Sequence, residues 1–557
     1  MTRRNTHLSI CFIATTLLLS ACGKPGSQSS QANGNTTDIT DANVLVVSDT
    51  SISDSPGIVL PEEVSVSNGS LPYPERDAFS IKAIQTDGWN KQDFVDANAG
   101  GVAINFSWLH WQPSKKIGNC NPASEFEYDG YCFRMAPSID KEVRYWTNHG
   151  VLITGVVVNV PEWATDPAKC TQRKNLCAPA NSADFARFAG MLAEHYNGLN
   201  GNGRVADFVI NNEVNMNSWY NVGCGYGIPC DVDAWIRQYA SDYNAAYDEI
   251  TRHQPAAKVF ISFAHYFEFA DQNRQWPIIA VKPFLKRFAQ LTGDRKWRVA
   301  FHPYPPSLKE SYFSPEDLPR ITYGNIGILA AWLRREFPTN PEAWELHLTE
   351  SGINSLWTHS SEAEQAEALC DSYRNVLGTP GIENYVYHRM VDHPAETALN
   401  TAFGLATEDG RLKQAWSVWS TMSGRNGNRN NLDCGFEDVP YTRVTQYTSA
   451  ERENWVSSRR PPQGYTPSNS WRLMRDYQEG TYMIYECAFL DGTYLSTDVE
   501  CGGELNYGPV GYIFPEQVND STPLYSCIAG NSVYSASGNQ GCGNDITRQF
   551  LGYAIKP

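Results

Sequence analysis

The stretch ADFVINNEVN, residues 206–215, decides the fold, because an apolar run of strand length leads directly into a cluster of polar side chains. A second stretch, ELHLTESG at residues 345–352, has the same design, and Glu350 follows its apolar run as Glu213 follows the first. Short apolar runs with polar boundaries are typical of buried β-strands. One glutamate at a strand end is weak evidence for a site, since such residues also cap helices or form salt bridges. A pair on two strands favours a shared site.

Outward from these stretches, further apolar runs alternate with amphipathic helical patterns, which is typical of parallel strands joined by crossover helices. Eight strands are predicted: Phe79–Ala83, Gly101–Phe106, Val151–Val158, Ala206–Ile210, Lys258–Phe263, Arg298–Phe301, Glu345–Leu348 and Asn384–His388. The clearest helical patterns cover Ala183–Tyr196, Val232–His253 and Ile326–Glu336. This alternation predicts an α/β fold, a TIM (β/α)8 barrel over residues 74–424. A doubly wound open sheet is the competing architecture, but no glycine-rich turn follows the first strand.

The residues at the two strand ends resemble a known clan. Asn212-Glu213 is similar to the Asn-Glu pair of the retaining glycoside hydrolases whose acid/base and nucleophile lie on strands four and seven of a TIM barrel. The Glu-Ser-Gly segment at 350–352 and the His-Pro-Tyr-Pro segment at 302–305 resemble a bacterial barrel family of unknown function in that clan. The resemblance implies that Glu213 is the catalytic acid/base, that Glu350 is the nucleophile and that Asn212 binds the sugar 2-hydroxyl.

The same resemblance implies a substrate cleft lined from several strand ends. His302 and Tyr304 follow strand six, where the clan often has a histidine and a tyrosine that orients the nucleophile, and His265 follows strand five. Three tryptophans after strands two and three complete the predicted substrate-binding set: Trp108, Trp111 and Trp163.

The resemblance implies a glycosidase that hydrolyses O-glycosyl bonds of an extracellular poly- or oligosaccharide by double displacement. This chemistry needs two carboxyl groups in unlike environments, one protonated and one ionised. Asn211 and Val214 stand where the clan usually has an aromatic residue and a proline, so the identity of the sugar does not carry over. The alternative is a catalytically inactive, polysaccharide-binding lipoprotein of the cell surface, which needs exposed aromatic rings but no paired carboxylates.

The net charge of -17 makes nucleic acid an unfavourable partner, because the summed field repels phosphate backbones. The expected partner is a carbohydrate, and we expect a monomer. No metal ion or organic cofactor is expected, because the double-displacement mechanism requires none and no sequence motif indicates one.

The N-terminal residues predict an exported protein. Two arginines precede an apolar run over residues 8–19, which is too short to span a bilayer but has the size of a signal-peptide core. The Leu-Ser-Ala-Cys segment at 19–22 resembles the lipobox of bacterial lipoproteins, which implies cleavage after residue 21 and lipidation of Cys22. A plain signal peptide with a chance cysteine is the alternative. Residues 1–22 are therefore predicted as a lipoprotein signal peptide, and the Ser/Thr/Asn-rich segment 23–73 as a disordered tether at the cell envelope or surface.

Cysteines of an exported protein are expected to form disulfides. Nearest-neighbour pairing is one hypothesis among many connectivities, and a zinc site is disfavoured because no CxxC pair or histidine cluster is present. The predicted pairs are Cys120–Cys132, Cys170–Cys177, Cys224–Cys230, Cys370–Cys434, Cys487–Cys501 and Cys527–Cys542.

The C-terminal region, residues 435–557, differs in pattern from the barrel region because it contains short polar and aromatic segments without convincing helices. Tyr485-Glu486-Cys487 recurs as Tyr525-Ser526-Cys527, and Gly511-Tyr512 recurs as Gly552-Tyr553, an offset of about 40 residues. A weaker copy without the cysteines lies upstream. These repeats predict one small all-β domain, with a β-trefoil-like arrangement as one possibility and a role as a binding or spacer module.

Overall fold

The computed structural model describes residues 70–76, 80–356, 360–422, 441–450, 452–458, 464–474, 477–490, 492–529, 532–537, 542 and 547–556. The predicted signal peptide, Cys22, most of the tether and Cys434 lie outside the described residues. The described residues belong to one unit of the chain.

The first ten strands are β1 (Lys82–Ile84), β2 (Gly101–Ser107), β3 (Glu125–Tyr128), β4 (Tyr131–Arg134), β5 (Leu152–Val158), β6 (Asp207–Ile210), β7 (Lys258–Ala264), β8 (Arg298–His302), β9 (Leu346–Leu348) and β10 (Ile382–Tyr387). Strands β3 and β4 form a separate antiparallel hairpin. The other eight are parallel and close a barrel in the order β1-β10-β9-β8-β7-β6-β5-β2. The predicted barrel is confirmed, and its closure excludes the open sheet.

The α-helices are α1 (Lys91–Asp96), α2 (Trp108–Trp111), α3 (Pro137–Asn148), α4 (Ser182–His195), α5 (Val232–His253), α6 (Val281–Ala289), α7 (Ile326–Glu336), α8 (Glu362–Gly378), α9 (Pro394–Thr397) and α10 (Gln414–Thr421). Short 3-10 turns cover Glu162–Ala164, Lys174–Leu176, Tyr323–Asn325, Pro341–Trp344 and Cys501–Gly503. Among the described helices, none is long and apolar enough to cross a membrane.

Local sequence explains these elements. The seven residues of β5 are all buried, as expected for a parallel strand that is covered on both faces. Asp231 begins α5 by accepting a hydrogen bond from the amide of Ala234, a favourable N-cap. The same helix then turns Trp235 and Tyr239 toward the core at a helical spacing.

A polar layer fills the amino-terminal end of the barrel. The amide of Asn384 donates to Thr154 Oγ1 (3.1 Å), and the Thr154 hydroxyl donates to Asp207 Oδ2 (3.4 Å). Asp207 also lies 3.2 Å from His347 Nδ1 and accepts a 2.7 Å hydrogen bond from the hydroxyl of Tyr73. Tyr73, the last residue of the predicted tether, therefore contacts the amino-terminal end of the barrel. Because this layer fills the amino-terminal end of the barrel, a substrate cleft can form only at the carboxyl ends of the strands.

The C-terminal strands are β11 (Tyr441–Thr448), β12 (Trp455–Ser457), β13 (Thr466–Met474), β14 (Tyr482–Phe489), β15 (Gly492–Ser496), β16 (Asn506–Ile513), β17 (Ser521–Ala529), β18 (Ser532–Ser537) and β19 (Thr547–Ile555). They form one antiparallel sheet of three triplets, in each of which the first strand pairs with the next two. The two cysteine-bearing sequence repeats correspond to the second and third triplets. A separate all-β region is thus confirmed, and a trefoil-like arrangement stays a prediction.

The barrel and the β region meet at two glycines on the outer barrel helices. A methyl group at Gly378, the last residue of α8, would overlap the ring of Pro509 in β16. A methyl group at Gly327 in α7 would lie 2.9 Å from the carbonyl oxygen of Asn506. The β region therefore packs closely on the outside of α7 and α8.

Five of the six predicted disulfides are present, with Cα–Cα distances between 5.1 and 5.9 Å. They join Cys120 to Cys132, Cys170 to Cys177, Cys224 to Cys230, Cys487 to Cys501 and Cys527 to Cys542. The Cys370–Cys434 pair stays a prediction, because Cys434 lies outside the described residues.

Candidate active site

The loop after β6 places Glu213 at the carboxyl end of the barrel. Asn211 and Glu213 have φ angles of 59° and 42°, in the left-handed region that non-glycine residues seldom adopt. The amide of Asn211 donates to the Val157 carbonyl (3.0 Å), and the amide of Glu213 donates to Ser262 Oγ (3.2 Å). Each such conformation costs roughly 1–3 kcal/mol and is found preferentially at functional sites. The sharp turn therefore holds the buried carboxyl group of Glu213 in a fixed place.

The side chain of Glu213 pairs with a buried histidine from the end of β8. His302 Nδ1 lies 3.0 Å from Glu213 Oε1. The other ring nitrogen, Nε2, lies 3.1 Å from the hydroxyl of Thr349 and 3.4 Å from that of Ser262. The imidazole is thus held from both sides, and its Nδ1 stays directed at Glu213.

Glu350 follows β9 and receives a hydrogen bond from the same loop that carries His302. The hydroxyl of Tyr304 donates to Glu350 Oε1 (2.9 Å). Burial raises the pKa of Tyr304 well above its usual value, and the charge of Glu350 raises it further. The phenol therefore stays protonated and donates to a fixed carboxylate oxygen.

The two glutamates are close neighbours. One side-chain oxygen of Glu213, one ring nitrogen of His302 and one oxygen of Glu350 all lie within 4.8 Å of one another. Retaining glycosidases place their two carboxyl groups about 5–5.5 Å apart, whereas inverting enzymes leave about 6.5–9.5 Å for a water molecule. The facing oxygens of Glu213 and Glu350 therefore lie closer together than either range, and the shorter arrangement is the nearer of the two.

The two carboxyl groups have unlike environments. Burial raises the pKa of Glu213, His302 opposes this effect, and the charge of Glu350 raises the pKa further. Glu350 is only half-buried and accepts from a phenol that stays protonated. Glu213 is therefore suited to hold a proton, whereas Glu350 accepts a hydrogen bond from a donor that keeps its own proton.

Two further predicted residues lie in the same region. His265 is buried, its Nδ1 is 3.2 Å from the Tyr304 carbonyl oxygen, and its Nε2 has no hydrogen-bond partner among the described residues. Burial lowers its pKa to about 3, so the ring is neutral. Asn212 is also buried, and its side chain makes no hydrogen bond within the described part of the chain. Both polar groups are therefore available to a ligand.

The tryptophan predictions need a correction. Trp108 and Trp111 are fully buried in the barrel core, where Trp108 stacks on Phe188 and donates from its indole nitrogen to Gln112. Neither ring offers a face to a sugar, so their assignment to the substrate-binding set is wrong. Trp163 is half-buried, contacts Trp108 edge-on at 5.3 Å and stays a prediction.

Sequence reasoning missed a second buried histidine near Glu350. His388 follows β10, with Nδ1 at 2.9 Å from Gln85 Oε1 and Nε2 at 3.2 Å from Glu396 Oε1. Burial lowers the pKa of His388, but the hydrogen bond to Glu396 and the charges of Glu350 and Glu396 outweigh it and leave this pKa above its usual value. Its place as the last residue of the eighth predicted strand was the signal that could have found it.

Glu213, His302 and Glu350 are also the one group in the described residues with the composition and spacing to hold a metal ion. The expectation that the protein needs no metal ion or organic cofactor stays a prediction.

Fold and site together define a (β/α)8-barrel protein with two neighbouring glutamates at the carboxyl ends of its strands. The chain belongs to the DUF5722 family, a family of unknown function whose model matches residues 74–431. No curated protein matches the chain.

Similar solved structures include three glycosidases with low sequence identity. A family 39 glycoside hydrolase from Bacteroides cellulosilyticus WH2 is 12% identical, with 87% of this chain and 83% of that chain covered and a TM-score of 0.43. A glucosidase from Croceicoccus marinus is 13% identical, with coverages of 87% and 96% and a TM-score of 0.43. A monomeric β-xylosidase from Caulobacter crescentus CB15 is 12% identical, with coverages of 86% and 94% and a TM-score of 0.43. Likenesses at this level say nothing of the reaction.

Proposed function

We propose that this protein is a retaining glycoside hydrolase that acts on an extracellular poly- or oligosaccharide. The observation that supports this proposal is the spacing within 4.8 Å of Glu213 and Glu350, together with the burial that raises the pKa of Glu213 and the hydrogen bond that Tyr304 donates to Glu350.

In the first step, a carboxylate oxygen of Glu350 attacks the anomeric carbon. The bond from that carbon to the glycosidic oxygen breaks, and Glu213 gives its proton to the departing oxygen. The products are a glycosyl ester on Glu350, a free hydroxyl on the leaving sugar and an ionised Glu213. His302, 3.0 Å from Glu213, then faces a carboxylate and can donate a hydrogen bond to it.

In the second step, the ionised Glu213 takes a proton from a water molecule as its oxygen attacks the anomeric carbon. The ester bond to Glu350 breaks, which restores both glutamates and releases the sugar with its original anomeric configuration. Tyr304 donates to Glu350 Oε1 in the free enzyme and thereby fixes the orientation of the nucleophile. Asn212 remains our candidate for the sugar 2-hydroxyl, and Trp163 and His265 for other contacts.

The test is an activity screen with polysaccharides and aryl glycosides, comparing wild type with Glu350→Ala and Glu213→Ala. Exogenous azide assigns the two roles. Azide should restore activity to Glu350→Ala and give a glycosyl azide product of inverted anomeric configuration. With Glu213→Ala it should restore activity and give a glycosyl azide product of retained configuration. Glu367→Ala is the matched control, because Glu367 is an exposed glutamate on α8. Activity of Glu350→Ala equal to that of wild type on every substrate that wild type turns over would remove the proposal.

The inactive, polysaccharide-binding lipoprotein remains the alternative. It leaves the glutamate pair unexplained, because binding by aromatic stacking does not require two neighbouring carboxyl groups. Sugar binding without turnover by wild type, across the same screen, would favour this alternative.

We also propose that the chain is exported and lipid-anchored through Cys22. The lipobox-like segment supports this, and the disulfides are consistent with an oxidising compartment. Metabolic labelling with a fatty acid in a bacterial host should label wild type, whereas Cys22→Ser should remain unlabelled and leave the membrane fraction. Equal labelling of both would contradict the anchor.

A further inference from the structure

The loops after β7 and β8 bring an aromatic and cationic cluster beside Glu213. Tyr266 and Phe269 have ring centroids 5.6 Å apart, and the guanidinium carbon of Arg320 lies 5.7 Å from the first ring and 5.1 Å from the second. The amide of Ile321 donates to the His265 carbonyl (2.9 Å), which fixes Arg320 next to Tyr266. The side chain of Arg274 is hydrogen-bonded to that of Tyr266. We call Tyr266, Phe269, Arg274 and Arg320 the arginine wall.

The wall borders the acid/base. The amide of Val214 donates to the carbonyl of Ser262 (3.0 Å), so the turn that carries Glu213 rests on the end of β7, just before Tyr266. Burial raises the pKa of Tyr266, and the charge of Glu213 raises it further. Since the acid/base protonates the leaving group, side chains around it face the leaving-group sugar.

The guanidinium groups of the wall are not neutralised as other arginines of the barrel are. Arg298 forms an ion pair of 2.7 Å with Glu345, as is usual for such pairs. By contrast, Arg274 reaches Asp271 only at 3.9 Å. Arg320 forms no ion pair within the described residues, and its buried Nε has no hydrogen-bond partner there.

Asp317, an acidic residue whose carboxyl group feels the charge of Arg320, is already engaged. Asp317 Oδ2 accepts hydrogen bonds from the Ser314 amide (2.8 Å) and the Thr322 hydroxyl (2.6 Å). Burial raises the pKa of Asp317 to about 6, against an opposing effect of Arg320. The donors of Arg320 are therefore left for a ligand.

A second cluster of aromatic and arginine side chains lies in the loops after β5, β6 and β7. Trp219 lies six residues after Glu213, and the guanidinium carbon of Arg173 lies 5.4 Å from its ring and 5.5 Å from that of Trp276. The amide of Asn217 donates to the Pro277 carbonyl (3.0 Å), which joins the loops after β6 and β7. Both indoles are half-buried, so each exposes part of its ring.

We propose that the leaving-group side of the cleft binds a saccharide that carries an oxyanion, either a uronate carboxylate or a sulfate ester, through Arg320 and Arg274. A guanidinium is a planar fork of donors that matches such groups, and its weak hydration favours their pairing. The chain has a net charge of -17, so the attraction is local to this wall. This inference rests on the proposed glycosidase function, because that function assigns the wall to the leaving-group side.

The test measures binding in the Glu350→Gln full-length chain, which should bind saccharides without turning them over. The probes are length-matched oligosaccharide pools: neutral cello-oligosaccharides, oligogalacturonates with carboxylates, and carrageenan oligosaccharides with sulfates. At least one anionic pool should bind about tenfold or more tightly than the neutral pool, and the stronger of the two identifies the anion. Adding Arg320→Gln should weaken that binding by roughly 10- to 100-fold, the range for a hydrogen bond to a charged group. Arg320→Lys should lose less.

Arg335→Gln is the control, since Arg335 is an exposed arginine on α7, and it should bind as the parent does. Equal binding of all pools would overturn the proposal that the arginine wall binds an anionic saccharide. Unchanged anion binding in Arg320→Gln, with an unchanged melting temperature, would overturn it as well. If wild type hydrolyses neutral glycosides with dependence on Glu350 but shows no anion preference, the wall alone fails. If anionic pools bind through Arg320 and no saccharide is hydrolysed, the wall survives and the glycosidase proposal fails.

Discussion

Removal of one hydroxyl group, in Tyr304→Phe, should slow the reaction without unfolding the protein. The lost hydrogen bond is 2.9 Å long, its acceptor is the carboxylate of Glu350, and the donor is buried. A hydrogen bond to a charged group contributes about 1.5–3 kcal/mol. At about 1.4 kcal/mol per tenfold, kcat/KM should fall roughly 10- to 150-fold. Most of the loss is expected in kcat, because the bond orients the nucleophile rather than the bound sugar.

The assay is steady-state kinetics on any aryl glycoside that wild type hydrolyses, with the melting temperature of each variant measured in parallel. The ring of residue 304 should keep its contact with Phe403, 5.7 Å away, so the melting temperature should change little. Tyr477→Phe is the control, since Tyr477 is exposed in the β region. A kcat/KM of Tyr304→Phe within twofold of wild type would refute the orienting role.

Three further predictions concern pH and stability. Glu213 must be protonated in the first step and its pKa is raised, so kcat/KM should stay high above pH 4.5 and fall as the pH rises through the pKa of Glu213. A pH–rate profile measures this fall. With reactive aryl substrates, Glu213→Gln should abolish it. Gly378→Ala should destabilise the protein, although alanine in a helix is favoured over glycine by about 1 kcal/mol. Pro509→Gly should relieve the loss of stability in a double-mutant cycle. Additive effects of the two substitutions would contradict the contact between Gly378 and Pro509. Lys82→Met should cost about 3 kcal/mol or more in denaturant unfolding, because the buried ammonium donates to four backbone carbonyls, that of Ala97 and those of Trp419, Ser420 and Met422. A loss smaller than about 1 kcal/mol would contradict the role of Lys82 in joining these two segments.

Strand positions and the glutamate pair were predictable because both follow from local pattern. The run before Glu213 and the run before Glu350 are strands β6 and β9, and the helix predicted over Val232–His253 has those bounds in the structure. Parallel strands in a closed barrel end on one face, so two strand-end carboxyls had to meet there.

What failed depended on packing between distant segments. Trp108 and Trp111 follow a strand end, as a cleft residue would, but the short helix α2 turns both rings into the core. Sequence pattern does not distinguish these two outcomes for a residue as amphipathic as tryptophan. The pairing of His388 with Glu396 joins the end of β10 to helix α9, and no local pattern predicts such a contact.

The most direct test of the central claim is the anomeric configuration of the first-formed sugar, observed by proton NMR before mutarotation. The spacing of Glu213 and Glu350 within 4.8 Å predicts the same configuration as in the substrate. A product of the opposite configuration would contradict direct attack by Glu350 and the double-displacement mechanism with it.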